Sequence, residues 1–257
     1  MPATEGQRTL EPMPASEGPS ARRALAGWRM PGLCAVCRRW DAGRVCASCL
    51  ARFAPPQARC ARCALPIEGA GATVCGACLA APPDFDSARS RVDYGYPWDR
   101  LIAAFKFHAA LDLAPALADT IVAATEAGPA LERPDLIVPV PLAPQRLRER
   151  GFNQPWQLAR RVARRLGCAA DAGLVLRLRE TAHQLDLPPE QRAGNVRGAF
   201  AVEPRRRAEL RGRSIAVVDD VMTTGSTANE IARALKQAGA SRVAVWTVAR
   251  TPRPGQG

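Results

Sequence analysis

The segment Arg213–Thr227, RSIAVVDDVMTTGST, constrains this chain more than any other. Ile215, Ala216, Val217 and Val218 form a short unbroken apolar run, the pattern of a strand buried on both faces, and Asp219 and Asp220 fall at its carboxyl end. Strands of that kind belong to α/β sheets, whose ligands bind beyond the carboxyl edge. Thr223, Thr224, Gly225, Ser226 and Thr227 then supply hydroxyls, backbone N–H groups and a permissive glycine where a helix should start. Carboxylates accept from a vicinal diol, whereas a phosphate dianion needs donors and is repelled by acids. The order therefore predicts a phosphosugar cradle, with a loop carrying incidental acids as the plain alternative.

The rest of the unit follows from spacing. Ala228, Ile231, Ala234, Leu235 and Ala238 keep a helical period, with Glu230 expected in the first turn, Lys236 near the end and Gly239 in the place of a C-terminal cap. Val243 to Val248 reads as the next strand, completing a βαβ unit. This unit resembles the phosphoribosyl pyrophosphate (PRPP) motif of type I phosphoribosyltransferases. The resemblance implies that Asp219 and Asp220 hold ribose hydroxyls and that the loop holds the 5′-phosphate. Val221, between the acids and the loop, joins the implied PRPP contacts.

Cysteine spacing is the second strong constraint. Eight of the nine cysteines form four CxxC pairs, Cys34/Cys37, Cys46/Cys49, Cys60/Cys63 and Cys75/Cys78. Each pair is a two-thiolate knuckle, and two knuckles complete a tetrahedral site, so eight ligands suit two structural Zn²⁺ ions. Disulfides are the competing reading, disfavoured by the lack of a secretory signal pattern. Sequential pairing is preferred over interleaved pairing. With every valence taken by thiolate, neither site has room for a catalytic water. Cys168 stands apart and reads as a small buried apolar residue.

Composition removes several function classes. The most apolar long stretch, Ala109 to Ala124, is interrupted by Asp112, Pro115 and Asp119, so no membrane insertion is expected and the chain reads as cytoplasmic. Only two histidines argue against His-based acid/base catalysis. The net charge of +12 is compatible with nucleic acid or anionic substrates but does not choose between them. Arginine clusters at Arg146, Arg148 and Arg150, at Arg160, Arg161, Arg164 and Arg165, and at Arg205 to Arg207 read as solvated faces, and few exposed-looking aromatics accompany them.

Between the two strong signals, Pro82 and Pro83 mark a linker and Ser87–Tyr94 reads as a strand. Trp98–His108 and Leu113–Ala124 read as helices, and Leu136–Val140 as another strand. A basic segment leads from Leu142 into Arg150-Gly151-Phe152-Asn153-Gln154 and a helix carrying Trp156, Leu158, Ala159, Val162 and Leu166. The turn around Val140 would aim backbone groups at pyrophosphate, Arg150 would supply charge, and Asn153 and Gln154 would add neutral hydrogen-bonding groups. Asn153 also fits a helix N-cap, and the two roles are compatible.

Taken in order, the CxxC repeats, Phe105-Lys106-Phe107, Pro139-Val140-Pro141-Leu142, RGFNQ, Gln184, Arg192, Asn195-Val196 and VVDDVMTTGST resemble the ComF family from about Cys34 to Arg250. The resemblance implies an α/β type I phosphoribosyltransferase fold, a parallel sheet flanked by helices, preceded by a double zinc ribbon. The expected layout is residues 1–30 a disordered tail, 31–81 the ribbon with two four-cysteine sites, 84–251 the phosphoribosyltransferase domain, and 252–257 a flexible tail. The polar stretch 181–195 reads as a mobile hood over PRPP, with Lys106, Gln184, Arg192 and Asn195 as further contacts.

Three functions follow from these readings. One is a phosphoribosyltransferase using PRPP and Mg²⁺ with an unidentified acceptor, with Asp219, Asp220 and Arg150 central to the chemistry. Another is a PRPP or nucleotide sensor without turnover, acting in DNA uptake or sugar metabolism, since the family resemblance implies links to natural transformation or to gluconate utilisation. The third is a single-stranded-DNA-binding accessory of DNA uptake, acting beside a competence helicase-like ATPase.

Overall fold

The computed structural model describes residues 31–67, 71–127, 133–179 and 197–252. The cysteine-bearing segment contains an antiparallel ribbon, β1 (Gly32–Leu33) and β2 (Trp40–Asp41), and two short helices, α1 (Ala47–Phe53) and α2 (Gly76–Ala80). Next come β3 (Ser87–Asp93), α3 (Trp98–Phe107), α4 (Ala114–Glu126), β4 (Leu136–Pro139), α5 (Pro144–Arg150) and α6 (Gln154–Leu166). The remainder comprises β5 (Ala169–Ala170), an antiparallel ribbon of β6 (Val175–Arg177) and β7 (Phe200–Val202), then β8 (Ser214–Met222), α7 (Ser226–Gln237) and β9 (Arg242–Arg250).

Five strands form one parallel sheet in the order β3-β9-β8-β4-β5. β8 lies at its centre, and Ile215 to Val218 are completely buried, as a strand covered on both faces must be. One face packs against α3, α4 and α6 through Ile102, Phe105, Leu117, Ile121, Leu158 and Val162. The other packs against α7 and the β6–β7 ribbon through Ile231, Leu235, Leu174, Val175 and Phe200. The chain leaves β4 toward β5 and leaves β8 toward β9, in opposite directions along the sheet. That reversal opens a crevice at the carboxyl ends of β4 and β8.

Three features differ from the reading of the sequence. β8 runs on through both aspartates to Met222, because the nine-residue β9 offers ladder partners that far: Asp219 faces Thr247 and Met222 faces Arg250. The basic segment before Gly151 is a helix, α5, begun by Pro144 and closed by Gly151 at φ +74°. Glu230 sits beyond the first turn of α7, where it accepts from the Gly198 N–H at 2.6 Å and pairs with Arg233 at 2.8 Å. Gly239, at φ +106°, does lie just past the end of α7, one position after the capping Ala238.

The cysteine segment is docked on the α/β layers. Trp98 Nε1 donates to the Phe53 carbonyl at 2.6 Å, Arg91 Nε to the Ala54 carbonyl at 3.0 Å, and the Ala88 N–H to the Ala61 carbonyl at 3.0 Å. After Pro82 and Pro83 the chain is held to α7, with Asp84 meeting Asn229 and Arg233, and Asp86 meeting Lys236.

Candidate functional site

The crevice between β4 and β8 is lined by Val140, Asp219, Val221, Met222, Thr223, Gly225, Ser226, Thr227 and Thr247, among others. Its floor is the turn from β8 into α7. Gly225 caps that helix at φ +85°, a left-handed conformation that the missing Cβ allows, and a Cβ there would come no nearer than 3.7 Å to Met222 Sδ. Conformation, and not crowding, therefore selects glycine. Thr224 Oγ1 and Ser226 Oγ lie 2.8 Å apart, and the Ser226 N–H donates to Thr224 Oγ1 at 3.3 Å. Gly225, at the N-cap, has no side chain to offer the other N–H groups of the first turn. The opening of a helix leaves N–H groups without intrahelical acceptors and carries partial positive charge, which is the local chemistry a phosphate needs.

The two aspartates part company. Neighbours in an extended strand turn to opposite faces, and β8 is extended through both. Asp219 faces the crevice with the loop, its Oδ1 accepting from the Asp220 N–H at 2.8 Å. Asp220 is buried on the side of α3, where Lys106 Nζ meets its Oδ1 at 2.7 Å. Burial works against the charge of Lys106, but Asp220 and then Asp219 outweigh it and raise the lysine above its ordinary value. Asp219 is pushed up to about 7, by burial first and by the charge of Asp220 second, with Lys106 opposing both.

Around this ion pair stand other residues singled out from the sequence. Gln154 is fully buried, accepts from Arg150 at 3.2 Å and donates to the Lys106 carbonyl at 3.4 Å. Arg150 lies 5.0 Å from the ring centre of Phe107. Burial and then Arg146 lower its pKa, while Asp220, Glu149 and Asp219 oppose the shift. Asn153 caps α6, its Oδ1 accepting from the Trp156 N–H at 3.1 Å. Val140 lines the crevice, while its N–H is already engaged, donating to the Val218 carbonyl at 2.9 Å. The predicted residues thus form two groups, Asp219 with the loop and Val140, and Asp220 with Lys106, Gln154 and Arg150. Gln184, Arg192 and Asn195 lie outside the described residues.

Thr247 escaped the reading of the sequence. It is completely buried, lines the crevice opposite Asp219, and its Oγ1 has no hydrogen-bond partner among the described residues. In VAVWTVA a threonine reads as one more β-branched strand residue, and no local signal marks it.

The cysteines gather into two sequential clusters, Cys34, Cys37, Cys46 and Cys49, and Cys60, Cys63, Cys75 and Cys78, each with all Sγ atoms within 4.8 Å of one another. None is in a disulfide, and the Sγ···Sγ distances are 3.9 Å for Cys34–Cys49, 3.6 Å for Cys37–Cys46 and 3.7 Å for Cys63–Cys75. Four sulfurs at about 2.3 Å from a tetrahedral Zn²⁺ stand about 3.8 Å apart, so both clusters fit the ion. Backbone N–H groups already point at the sulfurs, Cys46 to Cys34 at 3.4 Å and Cys75 to Cys60 at 3.2 Å. Burial disfavours the Cys34 thiolate, yet the backbone N–H groups of Cys37, Cys46 and Val36 bring its pKa down to about 6.

The Phosphoribosyl transferase domain family matches residues 156–255, which hold β8, the loop, α7 and β9. Over 233 residues the chain is 37% identical to the DNA utilization protein YhgH of Salmonella typhi, covering 86% of this chain and 98% of that protein. It is 36% identical to the Escherichia coli K12 protein of the same name over 231 residues, again 86% and 98% of the two chains. Competence protein F of Haemophilus influenzae is 34% identical over 179 residues, 68% of this chain and 78% of that one. A parallel sheet with this loop at its carboxyl edge, paired four-cysteine clusters ahead of it, and similarity over nearly the full length of the YhgH relatives together show that the chain belongs to the ComF family, with a type I phosphoribosyltransferase domain.

Proposed function

We propose that this chain binds PRPP with Mg²⁺ in the crevice between β4 and β8 and transfers the phosphoribosyl group to an acceptor. The observation that carries the reading is the left-handed Gly225 turn at the start of α7, in the same crevice that Asp219 faces from the end of β8. The 5′-phosphate meets the N–H groups and hydroxyls of Thr223 to Thr227, and the ribose hydroxyls meet Asp219. The bond from C1 to the pyrophosphate oxygen breaks while a bond from an acceptor nitrogen forms, and that nitrogen gives its proton to the departing pyrophosphate or to solvent. Positive charge develops on the ribose ring, so a tightly held sugar and excluded water favour the step without a covalent nucleophile. Asp219 offers the hard oxygen ligand that suits Mg²⁺, which would neutralise the leaving pyrophosphate. Lys106 holds Asp220, and Arg150, which donates to Gln154, adds positive charge beside this pair.

Both four-cysteine clusters carry structural zinc in this reading, as the ribbon ahead of the transferase domain. The relatives' names support a role in DNA use or competence, with single-stranded DNA as the partner to test first. Calorimetry with PRPP and Mg²⁺ should show binding that is lost in a folded Asp219→Ala, Asp220→Ala protein. Unchanged affinity in that variant removes the site assignment.

A second reading is favoured by one observation. Lys106 already occupies Asp220 at 2.7 Å, leaving Asp219 as the acid of the pair that faces the crevice. That arrangement suits a PRPP sensor as well as an enzyme. Release of pyrophosphate when nucleobases or amines are added to PRPP and Mg²⁺ establishes the transferase; binding without release establishes the sensor.

A further inference from the structure

Arg250, at the end of β9, is buried at 6% exposure and spans two parts of the molecule that are far apart in sequence. Its Nε donates to the carbonyl of Cys63, a member of the second four-cysteine cluster, at 2.9 Å. Its Nη1 donates to the carbonyls of Met222 at 2.8 Å, of Thr251 at 2.9 Å, and of Thr223. Met222 and Thr223 are the last residue of β8 and the first of the loop. A planar guanidinium with donors in a fixed fork cannot shift toward one set of carbonyls without leaving the other.

The Cys60/Cys63 knuckle is itself held against the sheet edge at β3. Ala64, fully buried at φ +58°, packs in the core shared with α7, Ala61 accepts from Ala88, and Arg59 pairs with Asp93 at 2.8 Å. The first cluster packs elsewhere, in the core of α3 and α4, with Arg44 paired to Asp112.

We propose that Arg250 is a positioning residue through which the second four-cysteine cluster sets the phosphate-binding turn, so that ligand affinity follows metal occupancy at Cys60, Cys63, Cys75 and Cys78. The inference rests on the PRPP reading of the loop, but its geometry does not. When the Cys63 carbonyl is fixed by a metal-bound knuckle, the guanidinium is fixed, and the Met222 and Thr223 carbonyls hold the turn that presents Thr224 to Thr227. When the knuckle loosens, the fork loses one anchor and the turn samples other conformations.

The test compares amide hydrogen exchange across residues 222–228 in ligand-free, zinc-loaded full-length protein, with zinc content counted by native mass spectrometry. Cys75→Ser should release one zinc and speed exchange in this turn about tenfold or more, whereas Cys37→Ser should release the other zinc and leave it within about twofold. Arg250→Met should speed exchange with both zincs retained, and adding Cys75→Ser to it should bring little more. Equal effects of the two cysteine variants, or unchanged exchange in Arg250→Met, overturn the proposal. If Arg250→Met does not fold, Arg250→Lys, which keeps the charge but loses the fork, takes its place, and exchange as in the wild type is again decisive. Titrations with inorganic phosphate and with PRPP run alongside. Absence of PRPP binding in the wild type would count against the ligand reading alone, because the exchange comparison needs no ligand.

Discussion

At the scale of residues, alternation along an extended strand decides the chemistry. Asp219 and Asp220 are equivalent as letters, yet the first faces the crevice and the second is buried against Lys106. An acid whose folded pKa stands near 7, above its ordinary 3.8, keeps a proton in the folded state that the unfolded chain has released. Stability therefore falls as pH rises through that window. Asp219→Asn should be more stable than the wild type at pH 8, by on the order of 1 kcal/mol, with the gain shrinking as pH is lowered to about 5.5; urea unfolding at the two pH values measures it. The buried pair behaves differently. Lys106→Met leaves the Asp220 carboxylate without its cation and should cost about 3 kcal/mol, while adding Asp220→Asn should recover most of that loss in the same assay. The pairing of Lys106 with Asp220 was not legible in the sequence, because 114 positions separate them (220 − 106) and only the packing of α3 beside β8 brings them together.

At the scale of elements, the sequence was more informative. β3, α3, α4, β4, α6, α7 and β9 follow from apolar period and turn residues to within about two residues at most ends. α5 did not, because a short arginine-rich segment with no buried residue has no apolar face to read. β5, β6 and β7, two or three residues each, are too short to carry a period. The α7 turn can be tested directly. Gly225→Ala should lose about 1–2 kcal/mol by thermal melting, from left-handed backbone strain alone, and should weaken phosphate binding because the turn must shift to relieve it. Asn153→Ala should lose about 1 kcal/mol through its cap, leaving PRPP affinity nearly unchanged; a large fall in affinity would give Asn153 a ligand role in addition.

For the whole molecule, the cysteine segment and the α/β layers share their interior. Cys34, Cys46 and Cys49 lie in the same apolar core as Phe105, Leu117 and Leu158, so the first cluster is part of the wall behind α3 and α4. Chelation of zinc should therefore lower the melting temperature of the whole chain and not release an intact α/β domain. Elemental analysis finding two zinc ions per chain, with a lower melting temperature once both are chelated, is the expected outcome. Surface character also belongs to this scale. Trp40, Tyr96 and Phe107 are 70%, 59% and 58% exposed, with Arg100 5.3 Å from the ring of Tyr96 and Arg150 over Phe107, so rings and arginines do meet at the surface where the sequence suggested few such pairs.

What the sequence determined by itself was whatever depends on neighbours along the chain: the buried strand, its acids, the glycine turn and helix after it, and the four knuckles. These are local because a strand's burial, a turn's backbone angles and a CxxC bite are set within a few residues. Tertiary structure alone decided which knuckles share a cluster, which aspartate faces the crevice, that Thr247 lines it too, and that Arg250 ties Cys63 to Thr223. Each of those depends on strands and loops meeting across the sheet. Strand order and the packing of layers are set by the burial of apolar surface over the whole chain, and no single segment encodes them.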